Sequence, residues 1–433
     1  MARRKLFAAL AAVMALALIG SACSKKTETT TPKAVKGACT KTNILHVAAG
    51  LPGAPVHAAA AFSSLRAQGS KPTVSIGFIG DISGSNSSLV VPGRDAAKLA
   101  FEQANAKGDA PVTFKFIELD NKEAKETTAP ALAQRLINDK TVMAVIGPAF
   151  SGETEAVQPL FAKAGIVHVT QSATRVSLTT HGFKTFFRSV GGDSDQGAAA
   201  AKLMKALGCT KAAIIDDKSP YGNGLGAIIN TEAAKVGLTV VDRESIAPTV
   251  DYTSLVDTLV TKKPDVVFYS GYVPQATKVL KQMRERGVTA TFIGGDGDKG
   301  ANFAKDAGAA NAEGVVFTCP CLDPNVANAA GDAKQFASDF VAKYNKKPDI
   351  YAAEAWDIAQ MYIDGAKQCG AGVTRACMLD FITKIDGRKG LTKTFSWTTD
   401  PKVLHEVVDK GVNIYGIKNG EIVLFGPIQK FAS

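Results

Sequence analysis

From Val74 onward, short apolar runs rich in β-branched residues alternate with longer amphipathic stretches, and this rhythm constrains the fold more than any other feature of the chain. Residues 74–79, 112–118, 142–146, 166–169, 212–216, 239–245, 266–270 and 314–318 predict strands, while 96–105, 130–138, 198–207, 226–236 and 274–286 predict helices. The strand candidates are continuously apolar instead of alternating in polarity, the pattern of parallel strands covered on both faces by helices. There are more of them than one open sheet comfortably holds, and 433 residues support two or three domains at about 100–200 residues each. The expected class is therefore α/β, with two Rossmann-like lobes whose ligands sit beyond the carboxyl ends of the strands. Further on, 333–344, 351–366 and 376–385 read as helices, and 391–397, 412–418 and 421–425 as short strands. Lys418-Asn419-Gly420 supplies a turn for the last two. Residues 40–72 carry little periodicity and read as an extension that the core does not require.

The N-terminus reads differently. Arg3-Arg4-Lys5, the apolar run 6–19 and Gly20-Ser21-Ala22-Cys23 form the basic, apolar and small-residue parts of a secretory signal, so residues 1–22 are expected to be removed on export. A cysteine directly after small residues fits a lipobox, with Cys23 acylated and holding the protein to the outer face of the cell membrane. Cleavage by ordinary signal peptidase, giving a free secreted protein, is the alternative. Fourteen apolar residues fall short of the roughly 20 needed to cross a bilayer as an anchor helix. The polar stretch 24–36, SKKTETTTPKAVK, reads as a tether. Fifty Lys+Arg against forty Asp+Glu give +10; without the three leader bases the balance is 47 − 40, or +7. No basic run is interleaved with aromatics, so nucleic acid is not an expected partner.

Six cysteines remain beyond Cys23, an even number in an exported chain. Cys369 and Cys377 enclose Gly370, Gly372 and Thr374 between two helical stretches and are expected to pair. Cys319-Pro320-Cys321 can close on itself only tightly, so each is expected to find a distant partner such as Cys39. No histidine stands at ligand spacing from these thiols, so no metal and no cofactor are expected.

An enzyme would need convergent titratable groups. No G-x-S-x-G occurs, and the surroundings of Ser83 and Ser151 do not form a nucleophile elbow. Of the five histidines, His168 lies inside an apolar strand and reads as a satisfied core residue. Gly222-Asn223-Gly224-Leu225-Gly226-Ala227 departs from a dinucleotide fingerprint at its last position and reads as a tight strand-to-helix turn. No catalytic residues are assigned, and no enzyme is expected. What remains at the strand ends are three small-hydroxyl loops, GDISGSNSS at 80–88, GPAFSGET at 147–154 and TQSAT at 170–174. Each leads toward a helix. Unpaired N–H groups and hydroxyls at helix N-termini suit an anion such as a carboxylate, although any one of these residues alone reads as a cap or turn former.

At these residues the chain resembles the periplasmic leucine/isoleucine/valine-binding proteins, the type I solute-binding components of ABC transporters. IGDISG at 79–84 is similar to that family's opening strand and loop, VIGP at 145–148 through Thr154 to its first ligand loop, and IVHVTQSAT at 166–174 to the segment ending in a ligand-binding Ala-Thr. FFRSV at 186–190 with Asp195-Gln196-Gly197 looks like the crossover to the second lobe, and 216–224, 264–272 and 292–297 continue in register. The resemblance spans about residues 73–428 and rests on the order of many short motifs.

It implies two lobes joined by a multi-strand hinge: 73–191 with 319–398, and 192–318 with 399–433, after a tether and extension at 23–72. It also implies a ligand set. The Ser151 and Thr174 hydroxyls, with a backbone N–H, would hold the α-carboxylate of an amino acid; the Ser172 carbonyl and Asp296 would receive its ammonium, and Ala173 is counted among the ligand-binding residues. Tyr221 and Tyr272 would close over it, and Phe150 and Leu89 would shape the side-chain pocket. Asp296 stands where the family carries the longer Glu, and a water can bridge the difference. The implied function is capture of a branched-chain or other aliphatic amino acid by a monomer that delivers it to ABC permease subunits. A receptor for an amide, urea or aromatic acid is the alternative within the fold.

Overall fold

The computed structural model describes residues 39–47, 71–122, 124–325 and 331–431. The leader, Cys23 and the tether lie outside them. Contacts gather residues 34–433 into one compact unit. Its first sheet contains β1 (Thr73–Gly80), β2 (Thr113–Asp120), β3 (Val142–Ile146), β4 (Val167–Thr170) and β5 (Phe186–Arg188), all parallel in the order β2-β1-β3-β4-β5. Five strands begin the second: β6 (Lys211–Asp216), β7 (Thr239–Ser245), β8 (Val266–Ser270), β9 (Thr291–Gly294) and β10 (Val316–Cys319). A ribbon of β11 (Arg388–Lys389) and β12 (Thr394–Phe395) follows, before β13 (Asn413–Lys418) and β14 (Glu421–Pro427) complete the second sheet. Its order is β14-β13-β10-β9-β8-β6-β7, with only β13 antiparallel to its neighbours.

The continuous apolar runs are buried because helices cover both faces of each sheet. In β1 every residue after Thr73 is buried. Helix Ala129–Asn138 packs so close to it that a Cβ on Gly77 would meet Leu136 at 2.6 Å. On the other face, Tyr362 from helix Ala352–Cys369 donates to the Val145 carbonyl of β3 at 2.7 Å.

Two short strands escape the sequence pattern. β5 and β9 are three and four residues long, too short to show periodicity. The strand expected at 391–397 shrinks to Thr394–Phe395, because the Asp357 carboxylate takes the N–H groups of Leu391 and Thr392 at 2.6 and 2.8 Å and folds them into a turn.

The chain leaves the first sheet after β5, runs through β6–β10, and returns with the helices Asp332–Tyr344, Ala352–Cys369 and Arg375–Thr383. Residues 405–407, expected with the second lobe, lie beside β5: Arg188 N–H donates to the His405 carbonyl at 3.1 Å and Val407 N–H to Arg188 at 3.0 Å. Only beyond them does the chain cross to β13.

Three disulfides close the unit: Cys39–Cys209, Cys319–Cys321 and Cys369–Cys377. The second corrects the expectation that Cys319 and Cys321 seek distant partners. A straight strand would separate positions i and i+2 by about 6.5 Å. Here the chain bends at Pro320, where the ladder stops, and the two Cα atoms come within 5.1 Å, inside disulfide range. Cys39 instead bonds Cys209 and fixes the N-terminal segment to the second lobe.

Loop-closure entropy ranks these bonds. Replacing both cysteines by serine is expected to cost about 5 kcal/mol for Cys39/Cys209, about 2.5 for Cys369/Cys377 and about 1.5 for Cys319/Cys321. Guanidinium unfolding of the three double variants checks the order.

Candidate functional site

The ends of β1, β3 and β4 place three loops along one edge of the first sheet. Asp120, closing β2, accepts from Ile82 N–H at 2.9 Å and from the Ser83 hydroxyl at 2.5 Å, and so orients the first loop. Leu89 follows in the first turn of helix Ser87–Lys107. After β3, Phe150 stands in extended conformation as the N-cap of helix Ser151–Ala164. After β4, the Ser172 hydroxyl donates to the Ala149 carbonyl at 2.7 Å and joins the second and third loops.

Across from them, the second sheet presents Tyr221 in the first turn of helix Pro220–Lys235, Tyr272 as the N-cap of helix Val273–Glu285, and Asp296-Gly297 in the single turn after β9. No Cβ fits at Gly297, where the Gly271 carbonyl and the Tyr221 ring crowd the backbone. The two sets enclose a tight cavity of about 20 Å³, lined by Leu89, Ala149, Phe150, Ser151, Ser172, Tyr221, Tyr272, Asp296, Gly297 and Tyr351. That is room for about one water molecule, so the two walls stand close together in this structure.

Seven of the nine ligand residues read from the sequence line this cavity. Ala173 and Thr174 sit one layer behind: Ala173 N–H donates to the Thr170 hydroxyl at 2.9 Å, and the Thr174 carbonyl accepts from Asp193 N–H at 2.8 Å and from Arg188 at 3.0 Å. The Thr174 hydroxyl lies against the Asp193 carboxylate without a well-formed hydrogen bond. Phe150 and Tyr272 meet edge to face across the cleft with ring centres 5.1 Å apart.

The electrostatics are one-sided, because none of the lining residues is a cation. Asp296 accepts from the Tyr221 hydroxyl at 2.8 Å and also from the Tyr351 hydroxyl. Burial raises its pKa, and the phenol hydrogen bonds work in the opposite direction. Asp193 is wholly buried; burial first, and the neighbouring Asp296 charge second, push its pKa up to about 7. Burial likewise moves Asp217 to about 6 and Glu153 to about 8. Arg188, a buried cation whose charge acts on Asp193, is already paired with Glu406 at 3.0 Å. The cavity thus offers carboxylate and phenol oxygens on one lobe, serine hydroxyls on the other, and apolar surface from Leu89 and Phe150. It suits a small molecule carrying both an ammonium and an anionic or polar group.

His168 packs between Phe161 and Phe186, and burial lowers its pKa to about 3, so it is a neutral core residue, as its strand position implies. Tyr351 and Asp193 were not legible as site residues. Tyr351 has the pattern of a helix-start aromatic packed in the core, and nothing in sequence shows its φ of +62°. Asp193 opens helix Asp193–Ala206, where an acid normally reads as complementing the helix dipole.

Fold and cavity together define a two-lobed α/β binding protein with its site between the lobes. The chain belongs to the periplasmic binding protein family, whose model matches residues 73–408. It is 27% identical over 300 residues to the Leu/Ile/Val-binding protein BraC3 of Rhizobium johnstonii, covering 69% of this chain and 80% of that one. To the Leu/Ile/Val/Thr-binding protein of Salmonella typhimurium it is 34% identical over 231 residues, covering 52% of this chain and 61% of that protein. Among solved structures it resembles the branched-chain amino acid transporter substrate-binding protein LivJ of Streptococcus pneumoniae in complex with isoleucine. There the TM-score is 0.73 and the identity 26%, over 81% of this chain and 99% of that one. Members of the family are extracytoplasmic binding proteins; the two relatives are named for binding branched-chain amino acids, and LivJ is the substrate-binding protein of a branched-chain amino acid transporter.

The charge imbalance makes stability pH-dependent. A carboxyl whose folded pKa lies above its unfolded value binds more protons in the native state, so its contribution falls as pH rises from about 4 to about 7. Asp193→Asn removes the cost of burying that charge. It is expected to stabilise the ligand-free protein by roughly 2–4 kcal/mol at pH 8 and by little at pH 4. Thermal melting at the two pH values measures this.

Proposed function

We propose that this protein is the extracytoplasmic solute-binding component of an ABC importer. It captures a branched-chain or other aliphatic amino acid by closure of its lobes and delivers it to membrane permease subunits. The observation that carries the reading is the pairing of a buried carboxylate, Asp296, with serine hydroxyls on the facing lobe around a cavity without a cation. A zwitterion supplies the missing positive charge. In this reading Ser151, Ser172, Ala173 and Thr174 hold the carboxylate, Asp296 and the Ser172 carbonyl take the ammonium, Tyr221 and Tyr272 close the cleft, and Phe150 with Leu89 selects the aliphatic side chain. The names of the relatives, and the isoleucine in the LivJ complex, support the same ligand class. The lobes divide as 73–191 with 319–407, and 192–318 with the residues after 407, because the segment 405–407 pairs beside β5. The protein acts as a monomer, held to the membrane by acylated Cys23.

Calorimetric titration with leucine, isoleucine and valine, then amides, urea and aromatic acids, identifies the ligand. Asp296→Asn is expected to weaken amino acid binding by about 2–5 kcal/mol, the cost of breaking a buried charge pair. Thr174→Val is expected to cost about 1–3 kcal/mol, because backbone donors remain. Unchanged binding by Asp296→Asn would refute an ammonium ligand and favour an amide or aromatic acid.

The anchor is tested separately by mass spectrometry of the native N-terminus. A diacylglyceryl-modified Cys23 is expected, and Cys23→Ala is expected to release the protein from the membrane fraction.

A further inference from the structure

Four lysines gather at the end of the second lobe away from the ligand cavity. Lys202 and Lys205 lie a turn apart near the end of helix Asp193–Ala206, Lys41 follows the disulfide-held Cys39, and Lys430 lies in the last turn of the described chain. With Ile44, Val236 and Phe431 they wall a shallow depression that contains no acidic residue. All four are exposed, and none forms an ion pair among the described residues, whereas Lys235, next to the lining residue Val236, is paired with Glu232. The helix that carries two of them begins with Asp193, behind the cavity wall at Thr174, and runs for 14 residues. At 1.5 Å per residue, Lys202 and Lys205 stand about 14 and 18 Å along the helix from Asp193.

The chain itself indicates what this patch meets. Cys39 is bonded to Cys209, and Lys41 N–H donates to the Leu207 carbonyl at 2.8 Å, so the segment leading back to the N-terminus departs from this face. Only 15 residues separate Cys23 from Cys39, a reach of at most about 50 Å. They carry Lys25, Lys26, Lys33 and Lys36 against a single acid, Glu28. Hydrated point charges on flexible stems suit a fluid anionic surface better than a shaped pocket. A permease that takes the ligand must engage the cleft, at the other end of the lobe.

We propose that this face of the second lobe docks on anionic phospholipid headgroups. Each lysine contributes about fivefold to partitioning onto such a surface, and salt screens the attraction.

The test uses residues 34–433, the compact unit without leader, anchor or most of the basic tether. Vesicles of phosphatidylglycerol mixed equally with phosphatidylcholine are compared with phosphatidylcholine alone. The parent is expected to sediment with the anionic vesicles at about 50 mM salt, to be released near about 500 mM, and to ignore the neutral ones. The combined variant Lys41→Glu/Lys202→Glu/Lys205→Glu/Lys430→Glu is expected to lose at least about a hundredfold in partitioning, with ligand affinity and melting temperature retained. A charge-matched control, Lys262→Glu/Lys305→Glu/Lys334→Glu/Lys389→Glu, changes exposed lysines elsewhere and is expected to lose less than about tenfold. Equal losses in the two variants would reduce the effect to net charge and overturn the proposal. So would failure of the parent to bind anionic vesicles, or binding to neutral vesicles only when the permease is present, which would assign the patch to a protein partner.

Discussion

The buried pair between Arg188 and Glu406 holds the two crossings of the chain and the ligand loop in one place. Arg188 closes β5, and its guanidinium reaches the carbonyls of Thr174 and Arg175 at 3.0 and 2.7 Å as well as the Glu406 carboxylate at 3.0 Å. Gly192 must lack a side chain because a Cβ there would meet the same guanidinium at 2.5 Å. A buried ion pair adds little net stability over an apolar pair, but losing one partner costs about 3–5 kcal/mol because the other charge is stranded. What the pair provides is position: the strand that leaves the first sheet, the strand that returns beside it and the 170–174 loop share one set of bonds.

The cleft is organised by the opposite principle, an incomplete charge balance. Burial raises the pKa of both Asp296 and Asp193, and the Asp296 charge adds to the shift of Asp193, while the guanidiniums of Arg188 and Arg175 are already committed to Glu406 and Glu155. Tyr221 and Tyr351 donate to Asp296 without neutralising it. Since Tyr351 comes from the side of the first sheet and Tyr221 from the second, closure itself assembles these hydrogen bonds. The energetic gap left for a ligand is one positive charge. On the proposed reading, that gap favours a zwitterion over a plain acid.

Much of the fold was legible in the residues. Apolar runs such as 142–146 and 266–270 coincide with strands because parallel strands are buried on both faces, a demand that composition alone must satisfy. β5 was not legible, since its three residues are held by partners on both sides and not by their own pattern. The 391–397 segment misled because Asp357, 34 residues upstream of Leu391, supplies the acceptors that bend it. In the site, the loops at 147–154 and 170–174 stood out as hydroxyl-rich strand ends, and the resemblance supplied Tyr221, Tyr272 and Asp296. Tyr351 and Asp193 stayed hidden because each occupies a helix start, where aromatic packing and dipole complementarity account for such residues equally well.

The Cys39–Cys209 bond also sets a mechanical frame. It joins the N-terminal segment to the second lobe, yet the first strand of the chain, β1, belongs to the other sheet. Any pull on the N-terminus is delivered through one covalent bond into the second lobe. With the anchor proposed at Cys23, the wall carrying Asp296 is the one tied to the point of attachment, and the first lobe, with its serine-bearing loops, is the freer jaw. A molecule built this way opens and shuts like a vice bolted to the bench by one jaw.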